Sequence, residues 1–319
     1  MNTAIKLGGF GAGLAAVFTA ALGLGSAFPV STPATPTPAA HSDPTGTEPA
    51  RNTAAAQPPA GLQISQDGYR LTLLNSSLPA GVPQPFRFQI TGPDERPVTD
   101  YVTSHDKDLH LIVVRRDLSG FQHLHPQRAA DGTWSTSLTV PAAGQYRIFA
   151  DFQPAGHEGL TLGADVPAAG DYQPTPLPAT ARTVTVDGYT VTLTVDLTPG
   201  GSSPLTLSVS KAGRLATDLQ PYLGAYGHLV VLRDGDLAYL HVHPDGSPGD
   251  GRTTAGPKIA FHTEVPSAGA YRLYLDFQHD GKVRTAEFTA VTATPDSALT
   301  PTSATPGPSR HGTDGHTHD

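Results

Sequence analysis

Six histidines recur in this chain at one spacing. His110, His123 and His125, followed by Pro126, return as His228, His241 and His243, followed by Pro244. Both copies place 12 residues between the lone histidine and the first of the His-x-His pair. Three neutral imidazoles that converge suit Cu(II), Zn(II) or Ni(II). Cu(II) tops the affinity order for nitrogen donors, so Cu(II) or Zn(II) is the expected ion.

Convergence demands particular elements. Residues two apart on a strand point to one face, so His123 and His125 can aim at one point, as can His241 and His243. The preceding segments, His110-Leu-Ile-Val-Val-Arg115 and His228-Leu-Val-Val-Leu-Arg233, are themselves strand-like. If Arg115 pairs with Gly120 across a four-residue hairpin loop, His110 falls opposite His125. The same register sets Arg233 opposite Ala238 and His228 opposite His243, with opposed Cβ atoms about 5 Å apart. On this reading each repeat holds one ion.

Asp151 and Gln153, repeated as Asp276 and Gln278, alternate along a later strand. They offer a carboxylate ligand or the acceptor that a metal-bound histidine needs for its other ring nitrogen. His157 and His279 follow the same Asp-Phe-Gln step and each offers a loop ligand. His311, His316 and His318 form a C-terminal His/Asp tract able to scavenge ions without fixed geometry. His105 and His262 align with Leu223 and Ser137 in the opposite copies and read as surface residues. Ligation needs neutral imidazole, so binding should weaken as pH falls below the histidine reference value of about 6.5.

The same histidines also read as a buried polar ladder. Ile112 and Val114 share the face of His110, and Phe121 that of His123, so the histidines can simply terminate a core strip. Pro126 and Pro244 are then edge stops.

Longer segments repeat as well. Val140-Pro-Ala-Ala-Gly-Gln-Tyr-Arg-Ile-Phe-Ala-Asp-Phe-Gln153 returns as Val265-Pro-Ser-Ala-Gly-Ala-Tyr-Arg-Leu-Tyr-Leu-Asp-Phe-Gln278, and a fixed internal period identifies the structural unit. Each copy opens with Asp-Gly-Tyr (Asp67 to Tyr69, Asp187 to Tyr189) and an alternating strand. Several short strands punctuated by Gly and Pro, without a convincing helical period, predict an all-β chain of two tandem immunoglobulin-like antiparallel β-sandwiches. The Ala-Gly-x-Tyr steps ending at Tyr146 and Tyr271 resemble the tyrosine corner of such domains, with Ile148 and Leu273 where an antibody domain places its second cysteine.

The 319 residues divide into a signal peptide or membrane anchor (1–28), a Pro/Thr/Ala-rich linker (29–61), repeat 1 (62–168), a short linker (169–182), repeat 2 (183–293) and a disordered His-containing tail (294–319). Lys6, the uncharged stretch from Leu7 to Val30 and the small residues Gly25-Ser26-Ala27 place the rest of the chain outside the cytoplasm, secreted or tethered to membrane or wall.

Composition excludes much. Net charge is -8 with no Lys/Arg run, which argues against nucleic acid as a partner. With no cysteine and only Met1, disulfides, thiolate catalysis, iron–sulfur clusters and a thioether Cu(I) site are out. No Gly-x-Ser-x-Gly elbow, phosphate loop or His-Glu-x-x-His helix is present, and both His-x-His pairs lack the Glu of a cupin. The expectation is a binding protein and not an enzyme.

Asp-Leu-His-Leu-Ile-Val-Val-Arg115, Phe-Gln-His-Leu-His-Pro126 and Ala-Gly-Gln-Tyr-Arg-Ile-Phe149 resemble segments of poorly characterised bacterial secreted or membrane-anchored proteins described as heavy-metal-binding or copper-handling. The resemblance implies an extracytoplasmic location and metal binding at His110, His123 and His125, with His228, His241 and His243 as counterparts. The functional expectation is sequestration of Cu(II) or Zn(II). The alternative is a cell-surface immunoglobulin-like interaction module with structural histidines and a protein or glycan partner.

Overall fold

A computed structural model describes residues 58–292. The leader-like segment, most of the first linker and the tail with His311, His316 and His318 lie outside the described residues. No helix occurs among the described residues.

Repeat 1 contributes β1 (Ser65–Gln66), β2 (Tyr69–Leu73), β3 (Leu78–Pro79), β4 (Gln84–Thr91), β5 (Leu109–Arg115), β6 (Gln122–Leu124), β7 (Gln127–Arg128), β8 (Thr133–Leu138), β9 (Gly144–Phe152) and β10 (Leu160–Ala169). Repeat 2 contributes β11 (Thr183–Val186), β12 (Tyr189–Val195), β13 (Gly201–Lys211), β14 (Arg214–Leu215), β15 (His228–Arg233), β16 (Tyr239–Leu240), β17 (Val242–Pro244), β18 (Lys258–Val265), β19 (Ala270–His279) and β20 (Lys282–Val291).

Alternation decides the sandwich. In β4 the buried residues are Phe86, Phe88 and Ile90, every second position, as expected of a strand with one face on a core. Repeat 1 stacks a β1-β2-β4-β8-β7 sheet on a β3-β10-β9-β5-β6 sheet. That is the immunoglobulin arrangement, down to the short strand β3 running parallel to β10. Repeat 2 stacks β11-β12-β13-β18-β17 on β16-β15-β19-β20. The two tyrosine corners form as expected. Tyr146 donates its hydroxyl to Ala142 O at 2.8 Å, and Tyr271 donates to Ser267 O at 2.7 Å. The chain is therefore two tandem immunoglobulin-like β-sandwiches.

Each sandwich has its own core, but a third apolar cluster joins them. All seven residues of β5 are buried, so both faces of this strand are covered. Leu109, Leu111 and Val113 enter the core of repeat 1, whereas Ile112 and Val114 meet Val230 and Leu232 of repeat 2. The joining cluster is built from equivalent positions of the two copies. Leu118 is matched by Leu237, both at φ 63°, and Phe149 is matched by Tyr274. Phe121 stacks on Tyr274 with ring centroids 3.9 Å apart, and its counterpart Tyr239 packs on Phe149 at 5.5 Å. The repeats therefore face each other with approximate two-fold symmetry. Tyr274 also donates its hydroxyl to Leu118 O across the junction at 2.7 Å. An apolar junction of this kind holds two domains in one orientation, whereas polar interfaces leave them mobile.

Candidate metal centre

The strip that carries Ile112 and Val114 also carries His110, so the first histidine is delivered into the junction. Register does the rest. His110 is paired with Asp151 on β9, and His228 with Asp276 on β19. Leu111 pairs with Leu124 and Ile112 with His123, the hairpin register predicted from the loop length. In repeat 2 the predicted register holds for Val231 with Leu240, but the chain then changes sheets, and His243 on β17 pairs with His262 on β18.

The geometry assembles one three-histidine group among the described residues, and it draws on both repeats. Ring nitrogens of His110, His123 and His228 lie within 4.8 Å of one another. This corrects the expectation of one site per repeat. The symmetric reading treats each copy as self-contained, whereas the junction brings the two lone histidines face to face. The rings of His110 and His228 are stacked, 5.3 Å apart and 14° from parallel.

Hydrogen bonds fix the tautomers. Ser104 O only accepts, so His110 donates Nε2–H to it at 3.0 Å. The Asp276 carboxylate only accepts, so His123 donates Nδ1–H to it at 2.8 Å. Asp276 is itself held by the Thr285 hydroxyl at 2.6 Å. Two lone pairs then face each other, His110 Nδ1 and His123 Nε2, at 3.1 Å. Bare lone pairs at that distance need a proton or a cation between them. Burial, with the neighbouring His123 adding to it, pushes His110 down to about 4, so His110 itself takes up no second proton near neutrality.

A divalent ion fits the spacing of the His110–His123 pair. Two nitrogens about 2.0–2.1 Å from an ion lie roughly 3.3 Å apart at a tetrahedral angle and roughly 2.9 Å apart at a square-planar one. The observed 3.1 Å falls between, so the donors suit Zn(II) or Cu(II) equally. His125 lies beside the three-histidine group without being part of it. Its Nε2 is buried without a hydrogen-bond partner, and its ring centroid is 4.7 Å from that of His123. Burial, then the charges of His123 and His110, pushes His125 down to about 3. His228 is driven well below its usual value by the same causes, burial first.

Other expected residues are distributed differently. Asp276 accepts from a histidine of the opposite repeat, His123. Asp151, its counterpart, accepts from the Thr161 hydroxyl at 3.0 Å and is raised by burial. His241 and His243 are exposed, with ring centroids 4.8 Å apart. Gln153 donates its amide to His157 O at 2.8 Å, and the Gln278 backbone carbonyl accepts from Gln220 N. His157 and His279 do not join the triad. They are spatial equivalents that pack edge-on against Tyr69 and Tyr189, with centroids 5.3 Å and 5.5 Å away. His279 is further held between Tyr189 and Asp218.

Sequence reasoning missed His105. Read as a surface residue because its counterpart is Leu223, it is half-buried, 5.5 Å from the His228 ring and 6.0 Å from that of His110. Its φ of 50°, like the 53° of Leu223, marks the equivalent tight loop in both copies, and that loop points at the junction. His262 is exposed, as expected.

No curated protein matches the chain. Among solved structures, it is similar to the Escherichia coli adhesin FdeC, at 13% identity and a TM-score of 0.24, over 72% of this chain and 65% of that one. It is similar to a Corynebacterium diphtheriae protein described as membrane anchored, at 13% identity and a TM-score of 0.22, over 72% and 60%. A marsupial T cell receptor matches at 11% identity and a TM-score of 0.22, over 71% and 96%. The chain thus spans slightly under two thirds of the first two. One family matches twice, at residues 64–172 and 184–294, and the chain belongs to it: the family described as Domain of unknown function (DUF8832).

Proposed function

We propose that this chain is an extracytoplasmic tandem immunoglobulin-like module that holds one divalent transition-metal ion, Cu(II) or Zn(II), where its two repeats meet. His110, His123 and His228 are the ligands, with His125 beside them as a fourth donor. The observation that carries this reading is the pair of facing lone pairs, His110 Nδ1 and His123 Nε2 at 3.1 Å, each ring locked by a bond from its other nitrogen. The ion clamps the two repeats, because ligands come from both. A buried ion of this kind suits retention and a fixed domain orientation better than bulk buffering. The extracytoplasmic placement rests on the leader-like composition of the first residues.

Co(II) substitution tests the site. Its visible absorption reports ligand type and geometry, and an intense spectrum of nitrogen coordination should appear at one equivalent and vanish in His123→Ala. A chain that binds no Co(II), Zn(II) or Cu(II) would overturn the reading.

A second reading is favoured by the apolar junction. Ile112, Val114, Phe149, Val230, Leu232 and Tyr274 already close the repeats on each other, so the histidines could serve only as polar packing in a surface interaction module. On that reading His123→Ala lowers stability and changes no ion binding.

A further inference from the structure

Beside the triad, and sharing His110 and His228 with it, lies a cavity of roughly 290 Å³. It is lined by His110 and His228 of the triad and by His105, Asp151, His241 and His243. We infer that this cavity is a solvent-open capture site for divalent transition-metal cations, through which the ion reaches the buried triad. The inference rests on the metal-binding reading above and adds a route and a second set of residues.

Three observations converge. First, the approximate two-fold symmetry makes His241 and His243 the counterparts of His123 and His125, yet their environments differ. His123 is locked by Asp276 with its side chain 2% exposed, whereas His241 and His243 are exposed and 4.8 Å apart. Two imidazoles that close together and that open to water chelate an ion weakly and release it readily. Second, His105 spans the gap. Its ring stands 5.5 Å from His228 and 6.0 Å from His110, while it also lines the cavity. Third, the acidic groups lining the cavity are Asp108, Asp151 and Glu158, against one cation, Lys107. A cleft of net negative charge raises the local concentration of cations and their arrival rate.

The two histidine pairs are thus equivalent in sequence and divided in task. His123 and His125 retain, and His241 and His243 capture. Asp151 fits this division. Its Oδ1 is held by Thr161, as Oδ1 of Asp276 is held by Thr285, and Asp151 is among the residues lining the cavity.

The test is stopped-flow uptake of Zn(II) by the full chain in a His311→Ala/His316→Ala/His318→Ala background, followed with a chromophoric zinc indicator. In the additional His241→Ala/His243→Ala variant, association and dissociation rates should both fall about ten-fold, with the equilibrium constant of the tight ion unchanged. His105→Ala should slow loading in the same sense. Circular dichroism confirms folding, which exposed substitutions should not disturb. Unchanged loading rates in the double variant would overturn the inference. A weakened equilibrium constant from faster dissociation would also overturn it, because the pair would then ligate the tight ion directly. A parent chain that takes up no zinc would overturn the metal-binding reading and this inference together, whereas a parent that binds at rates indifferent to His241 and His243 sinks only the latter.

Discussion

Replacing Asp276 by Asn isolates the contribution of the cross-repeat lock. The substitution keeps side-chain volume but removes the charge that accepts Nδ1–H of His123 at 2.8 Å. Side-chain exposures of 2% for His123 and 4% for Asp276 leave no solvent to screen the pair. An acceptor behind a ligating histidine is worth about 10–100-fold in metal affinity, because it fixes the tautomer and raises the basicity of the ligating nitrogen. That range corresponds to about 1.4–2.8 kcal/mol. Asp276→Asn should therefore weaken Zn(II) or Cu(II) binding by that factor in a chelator-competition titration. The internal control is Asp151→Asn at the equivalent position of repeat 1. Asp151 accepts only from Thr161 among the bonds formed and faces no locked ligand, so its equilibrium affinity should change by less than about three-fold. Equal effects at the two positions would refute the reasoning, as would an Asp276→Asn chain that is folded and binds as tightly as its parent.

Three further outcomes follow from the same structure. Tyr274→Phe strips a hydroxyl that reaches Leu118 O at 2.7 Å across the junction and should cost about 1–3 kcal/mol in urea unfolding; an unchanged midpoint would show the bond to be dispensable. Tyr146→Phe and Tyr271→Phe should each cost about 0.5–1.5 kcal/mol, since both corners are built alike; a loss in only one repeat would mean that the corners are not equivalent. In metal-free protein, His110 at about 4 and His125 at about 3 sit below the unfolded histidine value. The unfolded chain binds more protons in that window, so stability is full above about pH 6.5 and falls as pH is lowered toward 4. His110 alone contributes up to about 3 kcal/mol of that loss. Urea midpoints that stay level from pH 7 to 4.5, with chelator present, would contradict it.

Composition alone places the weakening of metal binding at the reference histidine value near 6.5. Burial moves the proton competition at His110 lower, because that ring is pushed down to about 4. Side-chain burial is a tertiary property, and no spacing encodes it.

Much else was legible. The alternating strands, the immunoglobulin topology and the tyrosine corners follow from period-two patterning and from the Ala-Gly-x-Tyr steps. The hairpin register of β5 with β6 followed from loop length alone. What internal repetition concealed was that the three-histidine group draws on both repeats. Comparing a chain with itself favours two copies of one site, whereas the contacts that matter join positions more than a hundred residues apart. One signal was present and undervalued. Leu109-His-Leu-Ile-Val-Val-Arg115 is nearly apolar at every position, the pattern of a strand buried on both faces, and an isolated sandwich has only one inner face to offer it. Ile112 and Val114, read as a possible core strip, are a core strip, but one between the repeats. His105 escaped because the repeat comparison discards any residue without a matching partner, although its loop geometry is repeated at Leu223.

The most direct test of the central claim is to count tightly bound ions per chain by native mass spectrometry, using the full chain in the tail-substituted background. One tight Zn(II) or Cu(II) is predicted, lost in His123→Ala of repeat 1 and equally in His228→Ala of repeat 2. Two equivalent ions, with each substitution removing only its own, would contradict a shared centre and restore one site per repeat.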